Sequence, residues 1–359
     1  MGYRSTFAGI AGATALAIIS AVAHAQEAPA AGTVVDGSLK GKTLTFVSYG
    51  GIYQDGQVAA LKEFVDKSGV TLLNDGPTEI AKLQAQVESG NVTWDVVDTA
   101  DLPPYVHCGK LFQKLDFSKL DISHIPAGQV GECSVPAMNY GMVLMYKNDA
   151  YKDNPPKSWK DFFDTEKFPG IRAIDGSGDP IGALIEQGII ADGGSVENMT
   201  PADIDKGIAK IKAIGPDTIF WKTGAESQQL AESGEADMIM MWTGRAMTAV
   251  KNGAQYTPVW QDWMVVMDQM TIPVGVKDTE ASYALINAYL GKQAQEILTE
   301  KTSYSPIHNE AQPKVDDSVA AFLTNTPERV KQGYQQNIKF WVANFDAASE
   351  KWTALMAGN

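Results

Sequence analysis

Short apolar runs alternate with longer stretches in which apolar residues recur every three or four positions, and the alternation persists along most of the chain. Residues 44–47, closed by Ser48-Tyr49-Gly50-Gly51, read as a strand, and Val58, Leu61 and Val65 then share one face of a helix. The unit repeats: 70–73 is a strand, Gly76-Pro77 a turn, and Ile80, Leu83 and Val87 line the next helix. A third strand, 94–97, ends at Asp98, Thr99 and Asp101. Strands separated by helices predict a parallel, doubly wound α/β sheet. Ligands of such sheets sit outside the carboxyl ends of the strands, which places Tyr49, Asp98 and Asp101 at one functional edge.

Beyond a loop-like stretch at 126–136, the run 142–146 predicts another strand. Residues 151–170, with their prolines and the cluster Trp159, Phe162, Phe163 and Phe168, suit a packed connection holding one short helix. A second series begins at 171–174 and breaks at Gly176-Ser177-Gly178-Asp179-Pro180, where Asp179 fits a helix N-cap and Pro180 the first helical position. Ile204, Ile208 and Ile211 mark an amphipathic helix, and 218–221 a strand. The stretch 233–245, SGEADMIMMWTGR, sets an unbroken apolar run between Gly234 and Gly244. It reads as a strand covered on both faces that delivers Trp242 and Arg245 to a rim, although a short buried helix fits the same run. Residues 255–258 and 263–267 read as extended, and 268–273 continue toward more strand. Helical periodicity returns at 281–298, stops at Ser303-Tyr304-Ser305-Pro306, and resumes in the tail through Ile338, Trp341, Val342 and Phe345.

The N-terminus adds a location. Arg4, the apolar segment 7–22 and Ala23-His24-Ala25 form the pattern of a secretory signal with an A-x-A cleavage site, so residues 1–25 are expected to be a signal peptide and the mature chain to start at Gln26. An uncleaved anchor is the alternative, but the apolar part falls short of the roughly 18 residues of a spanning helix. Residues 26–38, rich in Ala and Gly, suit a flexible lead-in. Removing the signal takes away Arg4 and no acid, one unit beyond the net charge of −14 of the whole chain. Such an acidic protein is a poor partner for nucleic acid or an anionic membrane, and it admits a cationic ligand. The length suits two domains. Cys108 and Cys133 are the two cysteines; an oxidising compartment favours a disulfide between them, with two reduced buried thiols as the alternative. A metal site such as zinc needs more Cys or His ligands than this neighbourhood offers.

Catalytic machinery is not visible. There is no P-loop, no G-x-S-x-G elbow and no H-E-x-x-H, and the four histidines, His24, His107, His124 and His308, are scattered. No cofactor is implied. What stands out is a set of aromatic and acidic residues at predicted strand ends: Tyr49, Tyr53, Asp98, Asp101, Asp179, Trp242, Asp268 and Tyr304. Carboxylates pair the charge of an amine, and aromatic faces hold its methylenes and cationic head, so the set suits an organic cation. Each member also has a plainer role: Trp242 as a core aromatic, Asp179 as an N-cap, Asp98 and Asp101 as solvated turn residues. Arg245 departs from the pattern. A guanidinium beside a cation site needs an anion, either a protein carboxylate such as Glu226 or Glu235 or a carboxylate on the ligand.

The segments LTFVSYGGIYQDG, WDVVDTAD, KFPGIRAIDGSGDP, GEADMIMMWTGRA, MDQMTIPVGVKDTEASYALINAYL and YSPIHNEA, in this order and spacing, resemble the periplasmic solute-binding proteins of ABC importers, in particular the spermidine/putrescine-binding branch. The resemblance covers essentially the whole mature chain. It implies a two-lobed, type II periplasmic-binding-protein fold, each lobe a sheet flanked by helices and the ligand in the cleft between them. On the sequence, lobe 1 is 39–145 plus 271–305 and lobe 2 is 146–270 plus 306–359. The resemblance further implies that Trp242 packs on the ligand chain, Asp268 pairs the amine, Tyr49 closes the first strand and Tyr304 precedes the Pro-containing turn, with Asp179 near an acidic position of the second domain. Departures are Val266 where that branch carries a Trp, with Trp263 further upstream, Thr99-Ala100-Asp101-Leu102 in place of a Ser/Thr-Tyr cluster, and Arg245 where the branch lacks a cation. The implied function is that of a periplasmic, monomeric, non-enzymatic binding component that hands a small polyamine-like amine to an ABC permease in the inner membrane. A zwitterionic amine carrying a carboxylate, opine- or amino-acid-like, or a thiamine-like cation is the alternative ligand, and a secreted carboxylate-based hydrolase the alternative class.

Overall fold

The computed structural model describes residues 1–2, 28–126, 128–176 and 184–358; the expected signal peptide and the Asp179-Pro180 helix start lie outside the described residues. The described strands form one sheet: β1 (Thr43–Val47), β2 (Thr71–Asp75), β3 (Val96–Ala100), β4 (Val135–Lys147), β5 (Arg172–Asp175), β6 (Thr218–Trp221), β7 (Met238–Trp242), β8 (Tyr256–Thr271) and β9 (Tyr334–Gln335). Their order is β2-β1-β3-β8-β4-β7-β5-β6, with β9 beside β8. β1 runs parallel to β2 and β3, and β5 parallel to β6 and β7. The central β4 and β8 are antiparallel to each other and to their flanks β3 and β7. The all-parallel expectation is therefore corrected to a mixed sheet. Helical crossovers keep the short outer strands parallel, whereas β4 and β8, at 13 and 16 residues, run through the middle and join two helix-covered halves.

Core membership changes along these two strands. Val135, Ala137 and Met138 of β4 and Met270 of β8 belong to one apolar cluster with Phe46, Leu61, Leu285 and Leu298. Met142–Met145 and Trp263–Met267 belong to another, with Ile174, Met240, Trp341 and Trp352. Burial of each such side chain contributes about 1.5–3 kcal/mol, so each half is held by its own core and only the two strands are shared. The ladder between them is broken where Met142 pairs Met264 but Leu144 pairs Val259; the residues between bulge out around Asp262, whose φ is 55°. That bulge explains why the sequence reads as several extended pieces.

Two more local differences matter for the site. Β7 leads directly into a helix, Thr243–Lys251, so Arg245 sits on a first helical turn rather than on a rim loop. The single helix expected over 281–298 is two, Thr279–Tyr289 and Lys292–Thr302. They divide at Gly291 because the chain at Gly32 packs there: a Cβ on Gly291 would fall 2.4 Å from the Gly32 Cα. The lead-in expected to be flexible is thus pinned from Pro29 onward, with Asn287 Nδ2 donating to the Pro29 and Ala30 carbonyls at 3.0 and 3.1 Å and Ala31 N donating to Asp121 Oδ2 at 3.0 Å.

Cys108 and Cys133 are disulfide-bonded across a sequence separation of 25. The link ties the short helix Leu102–Val106, which follows β3, to the start of β4. Loop closure of this length restricts the unfolded chain, so replacing both cysteines by alanine is expected to cost about 2–4 kcal/mol, read as a lower midpoint in chemical denaturation. No helix among the described residues is long and apolar enough to cross a membrane.

Candidate functional site: an aromatic cleft between a carboxylate and an arginine

Residues paired across an antiparallel ladder point to the same face, and register alone therefore assembles the floor of a cleft. Ala100 pairs Asp268, Asp268 pairs Met138, Tyr140 lies two residues on, and Met142 pairs Trp242. Ala100, Asp268, Met138, Tyr140 and Trp242 all line a cavity of about 670 Å³. Tyr49 and Tyr53 close it from the β1 side, Arg245, Met247 and Thr248 from the helix after β7, and Thr302, Ser303 and Tyr304 from the end of the helix Lys292–Thr302.

The rings form a continuous wall. Trp242 and Tyr140 have centroids 5.4 Å apart, Tyr140 and Tyr304 5.9 Å, and Tyr304 and Tyr53 5.4 Å edge to face. Pairs of this kind hold their geometry by quadrupole attraction as well as by buried area. Tyr53 Oη donates to Asp98 Oδ2 at 2.7 Å, and Ala100 N donates to Tyr49 Oη at 2.8 Å, so Tyr49, 41% exposed as a residue, keeps a hydrogen-bonded hydroxyl. Burial, with the Asp268 and Asp98 charges nearby, pushes that hydroxyl up to about 12; burial also raises Tyr53, helped by Asp98 and Asp268, and Tyr140, helped by Asp268. All three are neutral donors at any physiological pH.

Asp268 is 6% exposed and lines the cleft, and its carboxylate engages no hydrogen bond or ion pair among the described residues. Burial first, then the Asp98 and Asp101 charges, push its carboxyl well above the ordinary range. A desolvated, unpartnered acid facing a cavity is matched by a cation. Asp98 and Asp101 do not line the cleft. Asp98 is fully buried under the helix Gly51–Ala60, accepting from its Tyr53 and Gln57, and burial lifts it to about 7. Asp101 accepts from Gln269 Nε2 at 3.0 Å and is lifted by burial to about 6. Asp179 lies outside the described residues.

Arg245 projects from the opposite wall over Gly224. Its Nη1 donates to Gln228 Oε1 at 3.3 Å, and among the described residues it forms no ion pair. Glu226 instead accepts from the backbone N of Lys222 at 2.6 Å. The guanidinium lies close enough to Tyr304 to oppose the Asp268 charge there, so both charges act on one cavity.

Tyr140 was not among the residues singled out from sequence. Extending the 142–146 strand two residues upstream would have found it, on the face of Trp242. It also accounts for Val266, its direct cross-strand partner: at this depth the aromatic comes from β4 rather than β8. Trp263 does not substitute, because it is buried in a core, donates its indole N–H to the Arg329 carbonyl at 2.8 Å and stands edge-on to Trp260.

A mixed sheet in two helix-covered halves, joined by crossing strands with the cavity at the junction, defines a type II periplasmic binding protein. The chain belongs to the bacterial extracellular solute-binding protein family, which it matches over residues 59–328. It is similar to the solved Atu4243-GABA receptor, at 33% identity and a TM-score of 0.78 over 89% of this chain and 98% of that one. It is also similar to the gamma-aminobutyric acid-binding protein of Pseudomonas aeruginosa, 25% identical over 88% of this chain and 91% of the relative. The spermidine/putrescine-binding periplasmic protein 1 of Haemophilus influenzae is 24% identical over 70% of this chain and 72% of its own length. The protein is accordingly a periplasmic substrate-binding component of an ABC transporter, which binds a small molecule and delivers it to an ABC permease, and is not an enzyme.

Proposed function

We propose that the cleft captures a zwitterionic amine of the ω-amino-acid type, γ-aminobutyrate being the reference compound. The observation that carries this reading is the placement of Asp268 and Arg245, each without an ion-pair partner among the described residues, on facing walls of one aromatic cavity. The ligand ammonium pairs with Asp268, its methylenes lie against Trp242 and Tyr140, and its carboxylate takes the two parallel N–H donors of Arg245. A linear polyamine fits less well. Among the described residues the cavity lining offers one carboxylate, Asp268, against two cations, Arg245 and Lys301, so the second ammonium of a diamine meets like charge. The two binding proteins named for GABA among the relatives support the same choice.

Because Asp268 pairs with β3 of one half and Arg245 rides on the helix after β7 of the other, the ligand bridges the halves and stabilises a closed form for the permease to recognise. Lobes of 39–145 plus 271–305 and 146–270 plus 306–359, hinging on β4 and β8, suit this mechanism, and one monomer holds a complete site.

Ligand binding to the native state alone raises its stability. In a thermal-shift series on refolded, ligand-free protein, γ-aminobutyrate at roughly a hundredfold excess over its Kd is expected to raise Tm by about 5 °C, with putrescine and spermidine well behind. A larger shift with a diamine would overturn the assignment. Trp242→Ala removes one face of the amine's cage and is expected to weaken capture by about 1–2 kcal/mol, five- to thirtyfold in Kd by titration calorimetry.

A further inference from the structure

Beside the cleft floor, β3 sets Asp98 diagonally across from Asp268, since Ala100 pairs Asp268 and Asp98 pairs Met270 on the same face. Both carboxylates are buried. Asp98 Oδ2 accepts from Tyr53 Oη and Gln57 Nε2, while Oδ1 has no partner among the described residues. The titratable groups facing the pair from the surrounding elements are Tyr49 after β1, Tyr53 and Tyr289 from two helices, Tyr140 from β4, Tyr304, and the further acid Asp101. None of these supplies a positive charge. Arg245 and Lys301 stand on the cleft wall, and among the described residues neither forms an ion pair with Asp98 or Asp268. Two neighbouring acids removed from water without a counter-cation do not both ionise.

We propose that Asp98 and Asp268 keep one proton between them in the ligand-free cleft and that the incoming ligand ammonium takes that proton's place, making capture a cation-for-proton exchange. The inference rests on the amine reading above and adds a role for Asp98, which positions charge through Asp268 without touching the ligand. The exchange balances: the ammonium keeps its three protons and pairs with Asp268, the shared proton leaves to solvent, and the net charge of the pair with its counter-cation is unchanged. Tyr53 and Gln57 hold Asp98 as a carboxylate once the ammonium is seated. Burial lifts Asp98 to about 7, and burial with the neighbouring acids lifts Asp268 well above the ordinary carboxylate range, so the exchange operates around neutral pH. Affinity then rises with pH, by up to about tenfold per unit, until the free pair has lost its proton.

The test is calorimetric titration of γ-aminobutyrate into the full-length mature protein at fixed pH in phosphate and in Tris, whose ionisation enthalpies differ. The difference in apparent enthalpy counts protons released. Close to one proton per ligand near pH 7 is expected, falling as the pH rises past the range in which the free pair keeps its proton. Asp98→Asn keeps an acceptor for Tyr53 and Gln57 and removes the partner acid; it is expected to release fewer protons than the wild type near pH 7 and to move the pH profile to lower pH. Binding with no proton release from the wild type between pH 6 and 8 sinks the exchange while leaving the amine reading intact, and this count needs no variant. An unchanged count in a folded Asp98→Asn protein sinks the role of Asp98. If neither amino acids nor amines bind, both readings fall together.

Discussion

Asp268→Ala is expected to weaken capture of γ-aminobutyrate by two to three orders of magnitude while leaving the protein at least as stable as the wild type. The binding loss follows from truncating one side of a desolvated charge pair, which costs about 2–5 kcal/mol because the ammonium is left buried and unpaired. The preserved stability follows from the ligand-free state: the Asp268 carboxyl has no cationic partner among the described residues and lies beside two other buried acids, so removing it relieves an uncompensated group. Titration calorimetry and thermal melting on one sample separate the effects. A large loss of melting temperature together with intact binding would mean that Asp268 is a structural acid. Asp268→Asn, which keeps an acceptor but no charge, belongs between the wild type and alanine in affinity.

Arg245→Met is expected to invert selectivity. Methionine preserves an unbranched stem over Gly224 and removes the guanidinium, so packing at the start of the helix Thr243–Lys251 survives while the anion partner disappears. Affinity for γ-aminobutyrate should fall by about a hundredfold, as for a lost bidentate carboxylate pair. Affinity for putrescine should stay or improve, since a like charge has left the cavity. The ratio of the two dissociation constants, measured by competition on the same preparation, carries the prediction. A parallel loss for both compounds would assign Arg245 to shaping the cleft rather than to reading a carboxylate.

The halves of the fold differed in how plainly the sequence announced them. Β1, β2 and β6 are short apolar runs closed by Gly or polar turns, and their positions were legible within two residues. Β8 was not, because Gln261-Asp262 interrupts its alternation at the bulge, and a continuous strand then looks like three. The helix after β7 was hidden by Thr243 and Gly244, two weak helix formers at its start; at Gly244 a Cβ would sit tightly, 3.3 Å from Tyr304 Cε1. Trp242, Asp268, Tyr49, Tyr53, Tyr304 and Arg245 all stand around one cavity. Sequence could list the strand-end acids but not sort them. Asp98 and Asp268 share a face of the sheet, and what separates a wall residue from a buried one is the helix Gly51–Ala60, whose Tyr53 and Gln57 cover Asp98. That packing is long-range and leaves no local signal. The same holds for Arg245: whether its anion is a protein carboxylate or a ligand carboxylate depends on where Glu226 and Glu235 end up in space. With neither paired to it among the described residues, the question moves to the ligand.

The zwitterion reading is tested most directly by titrating γ-aminobutyrate, 1-aminobutane and butanoate into the same refolded, ligand-free wild-type protein. The three share a four-carbon chain and differ only in which charged ends they carry. If Asp268 and Arg245 each read one end, γ-aminobutyrate binds at least about a hundredfold more tightly than either single-charge analogue. Equal affinity for 1-aminobutane would contradict the account, because it would leave Arg245 with no part in recognition.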